Sequence, residues 1–399
     1  MHFYWPKNGT EQSIEDLQTK SPLSPFNTNV LSFIQSLSKR LIRYRQYPEI
    51  VALGYWMRKS QIAELQVIWE RENKNKFIKA RGIVFHIAPS NVDTIFIYSW
   101  ILSLLAGNCN IIRISGKVQQ QKNILLSAVF EELSNSNNQE IADRTIVLTY
   151  PHQDNTTEKL SLQCHTRVVW GGDNTVNTIR KIPLSPMANE LVFPDRFAVS
   201  IINAEAVIAL RNQELQQLAE QFYNDAFWFD QMACSSPKLI LWTGCQDTVK
   251  NSKETFWNAV EQVVKDKNYE FYSAVQVQKL ATGLWLTGED DVTELDHRVQ
   301  FSRVLFESIT PDFRERHCGG GLFYEQYLKN TEDIAKIIVD KDQTISYFGY
   351  SREELISVIN QIRTRGIDRI VPIGKALEFQ TVWDGQNFLK SFSREVVLI

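Results

Sequence analysis

From Gly82 onward the chain alternates short apolar runs with helical stretches, and that alternation restricts the architectures open to it. Gly82-Ile-Val-Phe-His-Ile-Ala88 reads as a strand, with Pro89-Ser-Asn-Val-Asp93 as a loop into a helix. Asn110-Ile-Ile-Arg-Ile-Ser115 is a second strand, Gln119 to Leu133 a helix, and Thr145-Ile-Val-Leu-Thr149 a third strand. Thr166-Arg-Val-Val-Trp170 is a fourth strand, followed by Gly171-Gly-Asp-Asn-Thr175 and a short helix, and Phe197-Ala-Val-Ser-Ile-Ile202 is a fifth. Apolar strands separated by helices build βαβ units and a mostly parallel sheet. Such a sheet takes its ligand beyond the carboxyl ends of its strands. Those ends are Pro89-Ser90-Asn91, Ser115-Gly116-Lys117 and Gly171-Gly172-Asp173, all suited to polar contact.

The remainder fits the same α/β class. Residues 1–78 read as a helical segment, with apolar residues at helical spacing from Val30 to Arg45 and Ile62 to Glu72. In the second half, Leu215 to Asp225, Thr255 to Val264 and Arg352 to Arg363 are helices. Lys238 to Trp242, Phe301 to Phe306 and Ile345 to Phe348 are strands, and strand-like runs return from Arg369 to Ile399. The division this suggests is 1–78 packing on a domain at 79–200, a second domain at 201–365, and a segment at 366–399 returning to the first or forming an oligomer contact.

Composition excludes several classes. The chain has 399 residues and a net charge of −3, which speaks against nucleic-acid and membrane-surface binding. The five cysteines, Cys109, Cys164, Cys234, Cys245 and Cys318, show no Cys-x-x-Cys spacing. That argues against a zinc site or disulfide framework and fits a reducing, cytoplasmic compartment. His86, His152, His165, His297 and His317 show no metal-ligand spacing. No charge lies between Asp93 and Arg113, but the apolar part, Ile95 to Ala106, falls short of the roughly 20 residues a membrane span needs. It reads as a buried helix, a turn and a strand. The N-terminus lacks the apolar core of a signal peptide.

Candidate chemistry centres on Cys234. It follows an aromatic, helix-like stretch, Phe222 to Phe229, and precedes Ser235-Ser236-Pro237 and a strand. Two readings are open: a small buried hydrophobe, or a nucleophile on a tight connection. Asn91 is either a helix N-cap or an amide donor to an oxyanion. Gly171-Gly172 is either a plain βα turn or a cradle for a cofactor pyrophosphate, without the Gly-x-Gly-x-x-Gly fingerprint. Arg113, Ser115 and Lys117 are either a solvated loop or a recognition site for an adenosine ribose or its 2′-phosphate. Gly319-Gly-Gly321 reads as a flexible turn.

Three stretches, in order, resemble the aldehyde dehydrogenase superfamily. Within it they resemble the bacterial acyl-CoA reductases (LuxC-like), the fatty acid reductase component of bioluminescence. The first joins Val84 to Val92 with Leu105-Ala-Gly-Asn-Cys-Asn-Ile-Ile-Arg-Ile-Ser115. The second joins Phe222-Tyr-Asn-Asp225 with Asp230-Gln-Met-Ala-Cys-Ser-Ser-Pro237. The third joins Arg369-Ile-Val-Pro-Ile-Gly-Lys-Ala-Leu377 with Trp383-Asp-Gly385. The resemblance implies an aldehyde dehydrogenase-like fold, with a Rossmann-type cofactor domain, an α/β catalytic domain and a helical N-terminal segment. It implies that Cys234 takes an acyl group as a thioester, and that Asn91 with a backbone N–H near Cys234 forms an oxyanion hole. It also implies a cofactor held by Ser90, Arg113, Ser115, Lys117, Gly171 and Gly172, and a homo-oligomer working beside an acyl-transferring partner enzyme.

Two departures from the superfamily pattern sharpen the expectation. Where many NAD-using members carry a Glu for the ribose hydroxyls, this chain has Gly116, so NADPH is favoured over NADH. The Glu-Leu-Gly-Gly element carrying a general base is missing, and the aligned region reads Glu190-Leu-Val-Phe-Pro-Asp-Arg-Phe197. Hydrolysis of an acyl-cysteine needs a base for water, whereas exchange with another thiol does not. The expected activity is therefore reduction of an acyl-CoA or acyl-carrier thioester to an aldehyde. Aldehyde oxidation and a non-catalytic role in a biosynthetic complex are the alternatives. The aromatics Phe222, Tyr223, Phe227, Trp228 and Phe229 either line an acyl tunnel or pack a core.

Overall fold

The structure, a computed structural model, describes residues 1–89, 94–116, 120–151, 154–289 and 291–399. The chain divides into two compact units, Met1–Asp195 with Glu378–Ile399, and Arg196–Leu377.

The first unit is built on a six-stranded sheet. Its order in space is His2–Trp5, Thr145–Thr149, Cys109–Arg113, Ile83–Ile87, Thr166–Trp170, Asn189–Phe193. All pairings are parallel except that of the His2–Trp5 edge strand. The Ile83–Ile87 and Thr166–Trp170 strands are buried throughout, as expected for central strands of a parallel sheet. The parallel strands lie in the order 3-2-1-4-5 by sequence, so the order reverses between Ile83–Ile87 and Thr166–Trp170. That reversal is the topological switch point at which doubly wound sheets take ligands.

The uncharged segment from Thr94 to Asn110 is a helix, Ile95–Leu105, followed by a turn and the Cys109–Arg113 strand. Every residue of this helix is buried. Among the described residues, no helix is long and apolar enough to cross a membrane. The N-terminal helix Thr28–Leu41 buries Val30, Phe33, Ile34, Leu37 and Leu41, and Phe33 meets Trp100 edge to face at 5.6 Å. Asn27 caps it, its side chain accepting the Asn29 amide at 2.8 Å. Asn108 acts as a fastener. Its side-chain oxygen accepts the Gly82 amide, and its side-chain nitrogen donates to the Ser103 and Phe392 carbonyls. The C-terminal strand Ser393–Val396 pairs with Phe77–Ala80 in a two-stranded ribbon.

The second unit carries a seven-stranded sheet. Its order is Val292–His297, Ser302–Phe306, Leu322–Tyr327, Pro237–Thr243, Phe197–Asn203, Asp342–Phe348, Arg369–Pro372. Only the Val292–His297 edge strand is antiparallel. One cluster gathers Phe222, Trp242, Phe256, Trp257 and Phe323, and a second gathers Phe197, Leu239, Leu241, Phe313 and Tyr324.

The strand beginning at Phe197 pairs between Pro237–Thr243 and Asp342–Phe348, so it is central to the second sheet and not a fifth strand of the first. The fifth parallel strand of the first sheet is Asn189–Phe193. Adjacency in sequence suggested one sheet, but Pro194 breaks the run between the two strands.

Candidate functional site

The first group of candidate residues gathers at the carboxyl ends of the first unit's strands. Arg113 closes the Cys109–Arg113 strand with its guanidinium 5.5 Å from the centre of the Tyr150 ring. Its carbonyl accepts the Ala88 amide at 2.9 Å, which joins two neighbouring strand ends. Two residues on, the Ser115 carbonyl accepts from Lys122 Nζ at 2.9 Å. Lys122 is buried, and sequence reasoning passed over it as one polar residue of a helix. A Cβ at Gly116 would meet only Thr149 Oγ1, at 3.7 Å. Packing therefore does not force the loss of a side chain at that position.

Gly171 and Gly172 follow the Thr166–Trp170 strand on the other side of the switch point. Gly172 is the N-cap of the helix Asp173–Arg180. A Cβ there would meet nothing within 4 Å, so its backbone is open to approach. Ser90, Asn91 and Lys117 lie outside the described residues, as does His152.

Glu190 sits at the amino end of its strand, at the edge opposite the candidate cofactor residues, in register with Arg167. Its Oε2 accepts from Arg167 Nε at 3.1 Å and from Arg167 Nη2, and its Oε1 faces Arg180 Nε at 3.5 Å. Arg167 also donates to Ser161 Oγ and the Ile182 carbonyl, so this guanidinium is committed to structure.

The second group lies in the other unit. The helix Asn212–Phe227 ends in a tight left-handed turn, Trp228–Gln231, and the chain runs through Cys234 into the buried strand Pro237–Thr243. Cys234 is half-buried. It precedes its strand and so lies at the amino edge of this sheet.

The approach to Cys234 is strained. Phe229, Asp230 and Gln231 have φ of 55°, 52° and 61°, three consecutive non-glycine residues in the left-handed region. Each costs roughly 1–2 kcal/mol, and the surrounding bonds offset it. Gln231 is fully buried. Its side-chain nitrogen donates to the Pro237 and Leu322 carbonyls, both at 2.9 Å, and its oxygen accepts the Gly321 amide at 3.0 Å. Gly320 N donates to the Asp230 carbonyl at 2.9 Å, and the Tyr269 hydroxyl donates to Asp230 Oδ1. Burial first, and then that bond to Asp230, raises the Tyr269 pKa.

Gly319, Gly320 and Gly321 face this loop with φ of 73°, 63° and 81°. A Cβ at Gly319 would come within 2.6 Å of Met232 Sδ, and one at Gly320 within 2.2 Å of Val275 Cγ1. The run is a turn, as read, and a closely packed abutment, in which the positive φ at all three positions disfavours any side chain. His317 fixes its start. The ring Nδ1 accepts the Gly319 amide at 3.0 Å, which leaves Nε2 to donate to the Leu322 carbonyl at 2.7 Å. Burial, with nearby Lys238 adding to it, pushes the His317 pKa down to about 3, so the ring is neutral.

The fold brings a cation to the peptide unit that precedes Cys234. Lys238 is buried at the second position of its strand, and its Nζ donates to the Ala233 carbonyl at 3.1 Å. The signal was a lone lysine opening an apolar strand. Ser235 Oγ and Ser236 Oγ are buried and make no hydrogen bond among the described residues. Of the aromatics weighed as a tunnel, Phe222 and Phe227 are core, packed on Phe323 at 5.5 and 5.9 Å. Trp228 and Phe229 remain half-exposed.

Asp225 brings two of the motif stretches together. Its buried carboxylate accepts the Gly374 amide at 2.6 Å and the Ala376 amide at 3.0 Å. No group of three or more His, Cys, Asp or Glu among the described residues could hold a metal ion.

The family described as acyl-CoA reductase (LuxC) matches residues 60–395. No curated protein matches. Among solved structures, a NAD-dependent benzaldehyde dehydrogenase from Corynebacterium glutamicum is similar at 12% identity and a TM-score of 0.64, covering 96% of this chain and 86% of that one. Aldehyde dehydrogenase 21 from Physcomitrella patens, in complex with the reaction product succinate, is similar at 9% identity and a TM-score of 0.67, covering 97% and 89%. The substrate-bound state of Staphylococcus aureus AldH is similar at 14% identity and a TM-score of 0.63, covering 97% and 93%. These likenesses establish an aldehyde dehydrogenase-like fold.

Proposed function

This chain belongs to the acyl-CoA reductase (LuxC) family, and from that premise we propose that it reduces an acyl-CoA or acyl-carrier thioester to an aldehyde with NADPH, through an acyl-cysteine at Cys234. The observation that carries the reading is the loop before Cys234. Three left-handed residues are held there by a fully buried glutamine and a glycine abutment. Strain maintained by surrounding structure is characteristic of functional loops, and here it delivers a half-exposed thiol.

In this reading the Cys234 sulfur adds to the thioester carbonyl, and the carrier thiol leaves. The oxyanion is held by the Cys234 backbone N–H, with the Asn91 amide as the second donor that the family resemblance implies. NADPH, when bound, would supply the hydride that, together with a proton from solvent, takes the acyl-cysteine to a hemithioacetal. The hemithioacetal releases the aldehyde and regenerates the Cys234 thiol.

Arg113, Ser115, Lys117, Gly171, Gly172 and Ser90 would hold the cofactor. The described members of that set suit a dinucleotide. Arg113 and Ser115 end one strand, and the open Gly172 backbone follows another, on either side of the switch point. Gly116 presents no carboxylate against a 2′-phosphate, and Arg113 can attract one.

The commitment of Glu190 to Arg167 and Arg180 supports thioester exchange over hydrolysis, because it leaves this carboxylate no role in activating water. The test is Cys234→Ala. It should abolish both labelling by acyl-CoA and acyl-CoA-dependent NADPH oxidation, and full retention of either would sink the assignment. Assays in both directions, with and without CoA, separate this activity from aldehyde oxidation.

A further inference from the structure

We propose that Lys238 is a positioning residue for acyl transfer, its ammonium polarising the Ala233–Cys234 peptide so that the Cys234 N–H becomes a stronger donor to the oxyanion. The inference rests on the acyl-cysteine reading above.

Lys238 stands in a strand, Pro237–Thr243, whose seven residues are all buried. An ammonium in such a place is costly unless it is bound to something. Its Nζ donates to the Ala233 carbonyl oxygen at 3.1 Å and stands 5.5 Å from the centre of the Phe197 ring. The same carbonyl also accepts the Ser236 amide at 3.1 Å. The oxygen preceding the candidate nucleophile thus takes two donors, one of them carrying a full charge.

That oxygen and the Cys234 N–H are the two ends of one delocalised peptide unit. A donor on the oxygen draws electron density from the nitrogen, and hydrogen bonds at opposite ends of the unit reinforce one another. The nucleophile's own amide is a recurring donor to tetrahedral intermediates. Lys238 therefore acts on the oxyanion through the backbone, without touching the substrate.

The step it assists balances without an oxidant. Cys234 gives its proton to solvent and its sulfur forms a bond to the thioester carbon. The carbonyl π pair moves onto oxygen. When that pair returns, the bond to the carrier sulfur breaks and the carrier leaves as a thiolate, which takes a proton from solvent. Negative charge on oxygen is largest in the tetrahedral species, and the Lys238 effect is largest there.

Alkylation by iodoacetamide separates this role from a general effect on the thiol, because displacement of iodide forms no oxyanion. The test compares full-length wild type with Lys238→Met, Lys238→Gln and Lys238→Arg. Two rates are followed at the Cys234 peptide by mass spectrometry: alkylation by iodoacetamide, and acylation by acyl-CoA without cofactor. The expected result is an acylation rate lowered roughly tenfold or more in Lys238→Met, alkylation changed by less than about threefold, and recovery of most of the acylation rate in Lys238→Arg. Equal losses in both reactions, or no loss in acylation, would overturn the proposal. Should Lys238→Met fail to fold by thermal melting, Lys238→Gln against Lys238→Arg carries the same comparison. A wild-type enzyme that alkylates at Cys234 but takes no acyl group there would remove the underlying reading, and the proposal with it.

Discussion

The side-chain oxygen of Gln231 accepts the backbone amide of Gly321 at 3.0 Å, joining the loop that carries Cys234 to the glycine turn before the Leu322–Tyr327 strand. The same side chain reaches the Pro237 and Leu322 carbonyls. Gln231→Ala strands these buried groups while the left-handed backbone keeps its strain. The expected cost is about 2–4 kcal/mol, read as a loss of several degrees in Tm and slower alkylation of Cys234. A variant melting within about a degree of wild type would show that the loop is held by other means.

Acid should destabilise the protein before its carboxylates titrate. Burial pushes the His317 pKa down to about 3 and that of His86 to about 4. His86 sits between Ser99 Oγ and Asn110 Oδ1, each 3.0 Å from a ring nitrogen. Both values lie below the unfolded value near 6.5, so the unfolded chain binds more protons as pH falls through that point. The stability these rings contribute is full above pH ~6.5 and is lost as pH drops, each ring adding about 1.4 kcal/mol per pH unit. Urea unfolding at pH 7.5, 6.5 and 5.5 checks this. A midpoint that does not move between 6.5 and 5.5 would contradict it.

The proposed preference for NADPH rests on position 116. The space around Gly116 admits a side chain. Gly116→Glu should therefore fold normally and raise KM for NADPH roughly tenfold through repulsion of the 2′-phosphate, with a smaller effect on NADH. Arg113→Ala should weaken NADPH in the same direction. Initial rates with both cofactors measure it, and unchanged KM ratios in both variants would remove NADPH from the reading.

Glu190 is assigned to structure, and a stability measurement distinguishes that from catalysis. Glu190→Gln leaves the buried Arg167 guanidinium without its counter-charge, and because Glu190 itself is only partly buried the expected cost is about 1–3 kcal/mol. The Tm should fall, while the folded fraction should take an acyl group at Cys234 at the wild-type rate. Slower hydrolysis of the acyl-enzyme, or loss of acylation, with an unchanged Tm would reverse the assignment.

Much of the first sheet was legible because its strands are short, apolar and separated by helices. Four of its parallel strands and the buried Ile95–Leu105 helix fall where the pattern puts them. The second unit was less legible where charge is buried. Leu322–Tyr327 carries Glu325 at its centre, a residue that would argue against a core strand. Its Oε1 accepts from the indoles of Trp242 and Trp257, and Lys253 stands 3.2 Å from its Oε2. The left-handed run Phe229–Asp230–Gln231 contains no glycine to announce it, and it exists because residues about 90 positions away hold it. Lys238 escaped notice because a strand, not a neighbouring residue, carries it to the Ala233 carbonyl.

The central claim is that Cys234 accepts an acyl group from another thiol. Purified enzyme is incubated with acyl-CoA thioesters of different chain length, without cofactor, and its intact mass and Cys234 peptide are measured. The account predicts a mass increase of one acyl group, confined to the Cys234 peptide, reversed by added CoA and missing in Cys234→Ala. An enzyme whose mass does not change with any thioester, or whose acyl group sits at Cys245 or Cys318, would contradict it.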